Sequence, residues 1–75
     1  MRTRARKTTY QVSGLNSDAA AARVEVALLA LPYVVRVVVD LVGETVTVTH
    51  RPDQAAADLV KEALIALGFA SVAKG

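Results

Sequence analysis

The sequence predicts a single α+β domain in the order β-α-β-β-α-β, with two helices on one face of a four-stranded antiparallel sheet. Four segments alternate in polarity or are rich in β-branched residues, which is typical of strands, and two alanine-rich segments repeat apolar residues at helical spacing. Turn formers separate the segments. A chain of 75 residues, 53% of them hydrophobic, is long enough for one small core.

The first half of the chain is predicted to form a strand, a helix and the start of a second strand. Thr8 to Ser13 alternates in polarity, with Tyr10 and Val12 on the inward face. Gly14 ends this strand, and Pro32 ends the helix because proline cannot continue the helical hydrogen-bond ladder. The inward stripe of the helix is predicted to contain Ala21, Val24, Ala27, Leu28 and Leu31.

A β-hairpin is predicted in the middle of the chain. Its strands run from Val34 to Leu41 and from Thr45 to His50, with Gly43 and Glu44 in the turn. The inward residues are predicted to be Val37, Val39, Leu41, Val46 and Val48. The first of these strands lies at a sheet edge, where Arg36 and Asp40 are expected to discourage pairing with another chain. We expect a monomer, with a homodimer or a docking surface on this edge as the alternative.

The last quarter of the chain is predicted to form a helix and a short strand. Pro52 and Asp53 start the helix, Gly68 ends it, and Phe69 to Ala73 forms the strand. The helix stripe is predicted to contain Ala56, Leu59, Val60, Ala63 and Leu67. The result is the split βαβ arrangement of ferredoxin-like folds, expected as one domain over residues 8–73 after a basic tail at residues 1–7.

Charge and cysteine content exclude several classes of function. There is no cysteine, so disulfides, thiolate metal sites and cysteine nucleophiles are excluded. Four of the nine basic residues lie in the predicted tail, and the rest of the chain has five basic and seven acidic residues. We expect the tail to act as a solubilising extension, although it can also touch nucleic acid or anionic lipid.

The chain has neither a membrane-spanning run nor a secretory signal pattern. No apolar stretch approaches the roughly 20 residues that a membrane span requires, and polar residues follow the basic start. We therefore expect a cytoplasmic location, which includes the cytosolic part of a membrane protein. Because the chain ends just after the last predicted strand, we also expect it to be a piece of a longer protein.

Motifs spread along the chain resemble the heavy-metal-associated domain family. They are Thr9-Tyr10-Gln11-Val12-Ser13-Gly14-Leu15, Arg23-Val24-Glu25-Val26-Ala27-Leu28, Leu31-Pro32, Val37-Val38-Val39-Asp40-Leu41, Thr45-Val46-Thr47-Val48, Pro52 and Leu67-Gly68-Phe69. That family includes small copper chaperones, N-terminal domains of soft-metal P-type ATPases and mercury resistance proteins. The resemblance implies a ferredoxin-like fold and the motif Gly-Met-x-Cys-x-x-Cys in the first loop.

Laid on that motif, this chain lacks both metal ligands. Gly14 and Leu15 match the glycine and methionine, whereas Ser17 and Ala20 occupy the two cysteine positions. Two thiolates at this spacing converge on a soft ion such as Cu(I), while a hydroxyl is a poor ligand and a methyl group is none. We therefore expect no cofactor and no tight binding of Cu(I), Zn(II), Cd(II) or Hg(II) in this loop.

The first loop has two other predicted roles, as a helix cap and as a contact surface. Its oxygen-bearing triplet supplies an N-cap more readily than a Ca²⁺ or Mg²⁺ site, since one carboxylate with two neutral oxygens is a weak ligand set. In the family, an aromatic residue after the second-helix glycine packs beside this loop in ATPase domains. The candidate contact residues are Gly14, Leu15, Asn16, Ser17, Asp18 and Phe69.

Rival functions find little support in the sequence. An RNA-binding sheet requires outward aromatic residues, whereas the predicted outward residues are Thr9, Gln11, Ser13, Thr45, Thr47 and Thr49. An acylphosphatase-like enzyme requires an arginine in the first loop, where none is present. His50 is the only histidine and has no partner at metal-ligand or triad spacing, so it is predicted to be a partly buried strand-end residue.

These considerations predict a non-catalytic, degenerate heavy-metal-associated domain. We expect a cytosolic regulatory or interaction module at the N-terminus of a metal-cation-transporting P-type ATPase, with neighbouring transporter domains or a related metallochaperone as partners and no nucleic-acid partner. Two alternatives stay open. One is an engineered or computationally designed domain with no native function, and the other is a stand-alone metallochaperone-like protein that has lost its site.

Overall fold

The computed structural model describes residues 5–51 and 54–74, and within them the predicted order of strands and helices is confirmed. The elements are β1 (Arg6–Ser13), α1 (Asp18–Leu29), β2 (Val34–Asp40), β3 (Thr45–His50), α2 (Gln54–Ala66) and β4 (Ala70–Ala73). The strands form one antiparallel sheet in the order β2-β3-β1-β4. This is the ferredoxin-like fold, and β2 lies at an edge as predicted.

Three predicted strand boundaries need correction. β2 ends at Asp40, one residue before the predicted Leu41. β1 begins at Arg6, not Thr8, because Arg6 and Lys7 continue the pairing with β3 opposite His50 and Thr49. Both residues were assigned to the basic tail from the sequence, since charged residues carry no apolar alternation that would mark a strand. At the other end of the chain, β4 begins at Ala70, one residue later than predicted.

Some predictions concern residues outside the described part of the chain. They are the tail at Met1, Arg2, Thr3 and Arg4, the turn at Pro52 and Asp53, and the side chain of Ala56. Neither described helix has the length and apolar character needed to cross a bilayer.

The core lies between the two helices and one face of the sheet. Its fully buried side chains are Val12, Leu15, Val24, Leu28, Val46, Val48, Val60 and Leu64, and Tyr10 is 3% exposed. α1 packs over β2 and α2 packs near β4, so each helix covers one half of the sheet. The helix stripes are confirmed in outline, with one addition. Leu64, which the predicted stripe of α2 omitted, is fully buried beside the predicted Val60.

The opposite face of the sheet is open and carries the polar residues of the predicted alternation. Thr9 pairs with Thr47, and Gln11 pairs with Thr45, across β1 and β3. The Thr9 and Thr47 hydroxyls are 3.1 Å apart and hydrogen-bonded. This face therefore has hydroxyl and amide groups in the rows where a single-strand RNA-binding sheet has its stacking aromatics.

Tyr10 is the most unusual member of the core because its hydroxyl is buried without a hydrogen-bond partner among the described residues. Burial raises the pKa of this phenol above its usual value of 10.0, and the nearby Asp58 carboxylate raises the pKa further. Both effects disfavour the phenolate in the folded state. A buried polar group without a partner costs free energy that a phenyl ring would not.

We expect Tyr10→Phe to raise the free energy of unfolding at neutral pH by about 1 kcal/mol, because it removes the unpaired hydroxyl and keeps the ring. The stability of the wild type should also fall as the pH rises above 10.0. Above that pH the unfolded chain loses the Tyr10 proton before the folded chain does, which favours unfolding. Urea unfolding followed by circular dichroism at several pH values measures both effects.

The control for this change is Tyr33→Phe, which alters a half-buried tyrosine outside the main core cluster. It should leave the alkaline loss of stability in place. If Tyr10→Phe lost stability above pH 10.0 as steeply as the wild type, the assignment of that loss to Tyr10 would be wrong.

Candidate functional site

Two apolar side chains position the loop between β1 and α1. They are Leu15, which belongs to the loop and enters the core, and Phe69, whose ring lies beside Gly14. Leu15 is fully buried in the core. Gly14 has φ +89°, a conformation that favours glycine, and it turns the chain between the strand and Leu15. A Cβ built on Gly14 would lie 3.8 Å from Cδ1 of Phe69. The structure therefore brings Gly14 and Phe69 together, as the resemblance implied.

Ser17 caps helix α1. Its backbone is extended, with φ −145° and ψ 155°, and its hydroxyl oxygen accepts a hydrogen bond from the Ala20 N–H at 3.1 Å. The Ser17 carbonyl accepts the first helical bond from the Ala21 N–H at 3.0 Å. The first turn also contains the Asp18 carboxylate, which the positive end of the helix dipole favours. The predicted N-cap role of this triplet is confirmed, with Ser17 as the cap.

Ala20, at the second cysteine position, has a different environment. Its methyl group is half-buried and packs against the core cluster. Ser17 and Ala20 are thus three residues apart at the start of the helix, joined by one hydrogen bond from backbone to hydroxyl. Of these two side chains, only the hydroxyl has lone pairs, and one of them already accepts that hydrogen bond.

The turn between β2 and β3 supports the loop from a second side, which the sequence did not predict. The Gly14 N–H donates to Oε1 of Glu44 at 3.2 Å, and the Val12 N–H donates to the Glu44 carbonyl at 2.8 Å. The Gln11 side-chain amide donates to the carbonyls of Gly43 and Glu44 at 2.9 and 3.1 Å. The positive φ of this turn, +52°, is at Glu44. These four hydrogen bonds fix the turn against β1.

Only some of the predicted contact residues are exposed to a partner. Gly14, Asn16, Ser17 and Asp18 are exposed, and Phe69 is half-buried beside Gly14. Leu15 is not available to a partner because it is fully buried. Within residues 5–51 and 54–74, no three His, Cys, Asp or Glu side chains are grouped closely enough to hold a metal ion.

His50 lies at the other end of the sheet from this loop. It is 5% exposed, and its ring is 3.1 Å from the Thr8 hydroxyl and 2.8 Å from the Arg51 carbonyl. The carbonyl can only accept, so Nδ1 donates to it and Nε2 contacts the hydroxyl. His50 pairs with Arg6, the first residue of β1, which places it roughly 25 Å from Gly14 along the strand. The predicted position of His50 at the end of a strand is confirmed, and its ring is more fully buried than predicted.

Comparison with known proteins identifies the family. A sequence profile of the heavy-metal-associated domain matches residues 9–70, which is most of the chain. The chain belongs to the heavy-metal-associated domain family. No curated protein sequence matches it significantly.

Several solved structures superimpose closely on this domain. The water-soluble region of the P-type ATPase CopA from Bacillus subtilis is 33% identical, with 96% of this chain and 48% of that chain covered and a TM-score of 0.86. The apo form of the N-terminal domain of ZntA is 28% identical, with 96% of each chain covered and a TM-score of 0.85. Oxidized MerP from Ralstonia metallidurans CH34 is 23% identical, with a TM-score of 0.83 over 96% of this chain and 100% of that one, which shows the shared fold.

We expect Ser17→Ala to lower the free energy of unfolding of this heavy-metal-associated domain by about 1 kcal/mol, because it leaves the Ala20 N–H without its cap. Ser17→Asp is the control, since a carboxylate caps equally well and suits the helix dipole. Chemical denaturation of both variants measures the change. A Ser17→Ala variant as stable as the wild type would show that the hydroxyl contributes nothing as a cap.

Proposed function

We propose that this heavy-metal-associated domain is a non-catalytic interaction or regulatory module without a tight soft-metal site. The observation that carries the proposal is the replacement of both thiols on an otherwise intact loop. Ser17 provides the helix cap, and Ala20 packs its methyl group against the core. A hydroxyl is a poor ligand for a soft ion and a methyl group has no donor atom, so neither position supplies what Cu(I) or Zn(II) requires.

We further propose that the parent protein is a metal-cation-transporting P-type ATPase, with this domain on its cytosolic side. The likeness to the soluble region of CopA supports a transporter as parent. The aromatic ring of Phe69 beside Gly14 adds support, because the family has an aromatic residue there in its ATPase domains. Neighbouring domains of the transporter, or a related metallochaperone, are then the partners.

The surface proposed for docking joins the loop to the exposed side of helix α1. A shallow groove of about 390 Å³ lies there, lined by Ala22, Arg23, Val26, Ala27 and Leu67. Its walls are apolar, with Arg23 contributing its aliphatic stem, and Val26 is 70% exposed. Exposed apolar side chains grouped in this way are typical of a protein contact surface. The exposed Asn16, Ser17 and Asp18 supply a polar rim at the N-terminal end of the same helix.

The metal-free character of the loop is tested by titration. We expect the wild type to show no stoichiometric binding of Cu(I) under reducing conditions. The double variant Ser17→Cys/Ala20→Cys should bind one equivalent tightly, because two thiolates at this spacing converge on one ion near a helix N-terminus. Competition with a chromophoric Cu(I) chelator measures both proteins.

Two results would contradict this part of the proposal. One is tight binding to the wild type that Ser17→Ala abolishes. The other is a failure of the folded double variant to bind, which would mean that the loop geometry no longer suits an ion. Ser17→Cys alone is the matched control, since a single thiolate should bind far more weakly than the pair.

The docking surface is tested by NMR with the neighbouring cytosolic domains encoded in the same reading frame. We expect chemical-shift changes at residues 16–18 and along α1 when such a domain is added. Val26→Glu should weaken the association at least about tenfold, because it places an uncompensated charge in the contact. Val72→Glu is the control, since Val72 has a similar exposure of 68% on the opposite face of the sheet. Equal effects of the two variants, or no shift with any neighbour, would contradict this surface.

A further inference from the structure

Two cations face the same way on the open face of the sheet, at the end remote from the loop. Lys7 in β1 and Arg36 in β2 are both paired with Thr49 of β3. Residues directly opposite each other in antiparallel strands share a face, so all three side chains lie on the open face. Neighbouring strands are about 4.8 Å apart, which separates the Cα atoms of Lys7 and Arg36 by about 10 Å.

Lys74 and Arg51 extend this pair on either side. The Lys74 N–H donates to the Thr9 carbonyl at 2.7 Å, which continues the pairing of β1 with β4 and places Lys74 opposite Thr9. Arg51 directly follows β3, and its N–H donates to the Tyr33 carbonyl at 2.9 Å, so it continues the alternation that puts Thr49 outward. All four side chains are exposed. The cationic face is defined here as Lys7, Arg36, Arg51 and Lys74.

The carboxylates of the described residues lie elsewhere. Four of them, Asp18, Glu25, Asp58 and Glu62, belong to the helices on the other side of the sheet. The other two, Asp40 and Glu44, lie at the β2–β3 turn, at the opposite end of the sheet from the cations. Asp40 shares the open face but lies four residues from Arg36, about 13 Å along the strand. Its Oδ1 accepts from the N–H groups of Val42 and Gly43 at 3.1 and 3.4 Å, so it is engaged in the turn.

Hydroxyl groups and two exposed valines accompany the cations on the open face. Thr9, Thr47 and Thr49 lie between the cationic residues in neighbouring rows. Val38 and Val72, opposite Thr47 and Gln11, are 50% and 68% exposed. The outward residues paired within the strands include no aromatic side chain, and Tyr33, which lies opposite Arg51 just before β2, is half-buried. The surface is thus open, cationic at one end, and bordered by small apolar groups.

We propose that the cationic face docks this domain on the surface of an anionic phospholipid bilayer. Each Lys or Arg near such a surface strengthens binding about fivefold. The grouping of four described cations on one face, away from the four helix carboxylates, would turn this face toward a negative plane. A single-stranded nucleic acid fits less well, since the sheets that bind it have stacking aromatics on the central strands, where this face has threonines and Gln11. Bilayer binding goes beyond the proposed function and uses the side of the domain opposite the docking groove. Bilayer binding and docking at the groove can therefore each fail without the other.

The experiment is co-sedimentation of the full chain with vesicles at low salt. Wild-type protein should partition onto vesicles of equal parts phosphatidylcholine and phosphatidylglycerol roughly 600-fold more strongly than onto phosphatidylcholine alone, as expected for four cations. Lys7→Gln/Arg36→Gln should lower that partitioning roughly 25-fold, as expected for two cations. Raising the salt concentration should weaken binding in the wild type more than in this variant, because fewer charges remain to be screened.

The matched control is Arg23→Gln/Lys61→Gln, which lowers the formal net charge of +2 by the same amount but changes exposed helix residues. It should alter partitioning by less than about threefold, because its cations do not face the bilayer. Circular dichroism confirms that both variants are folded. Equal losses in the two variants would attribute binding to net charge and overturn the proposal.

Three further results would also overturn it. Equal partitioning onto both vesicle compositions would remove the electrostatic basis. Loss of binding in Arg2→Gln/Arg4→Gln, with Lys7→Gln/Arg36→Gln unaffected, would assign the contact to the first residues of the chain. Tighter binding to a single-stranded oligonucleotide than to the anionic vesicles, lost in Lys7→Gln/Arg36→Gln, would assign the face to nucleic acid.

Discussion

The passage of the chain from β1 into the buried side chain of Leu15 is the constraint on which the rest of the structure depends. β1 is a central strand, paired with β3 on one side and with β4 on the other. Its last inward residue, Val12, and Leu15 are both fully buried, and only two residues separate them. The chain must turn sharply to return a side chain to the core, and Gly14 permits that turn at φ +89°. The loop is thereby shaped by core burial.

The two sides of the domain differ in charge and in exposed apolar surface. The helical side has four of the described carboxylates and the apolar groove beside Val26, whereas the open face of the sheet has four cations separated by threonines. A small domain of this kind can offer a different surface to each of two partners, because the sheet separates the residues of one surface from those of the other. The edge strand β2 contributes to only one of these surfaces, through Arg36 and Val38.

Local patterns predicted those parts of the fold that repeat along the chain. The alternation in β3 correctly placed Val46 and Val48 inward, and Pro32 correctly placed the end of α1. The start of β1 was predicted too late because Arg6 and Lys7 are held by pairing with β3, which no local pattern records. Leu64 was missed because the stripe of α2 is wider than the narrow set of positions assigned to it.

The candidate site was also predictable only where a local sequence signal exists. The Ser17 cap was predictable because a hydroxyl three residues before the amide it serves is a local signal. The bond from Gly14 to Glu44 spans 30 residues, and nothing near either residue indicates it. Phe69 was associated with the loop only through the family resemblance, since Phe69 and Gly14 are 55 residues apart in the chain and no local pattern connects them.

The hydrogen bonds of Glu44 to the first loop have a consequence for how such a domain can evolve. In zinc fingers the ion supplies the folding free energy, so loss of a ligand unfolds the domain. Here the loop is held by Glu44, Leu15 and the Ser17 cap, all of which are protein groups. Occupancy by an ion and stability of the fold are therefore separable properties. A domain of this fold can therefore change the side chains of its first loop while it keeps the scaffold.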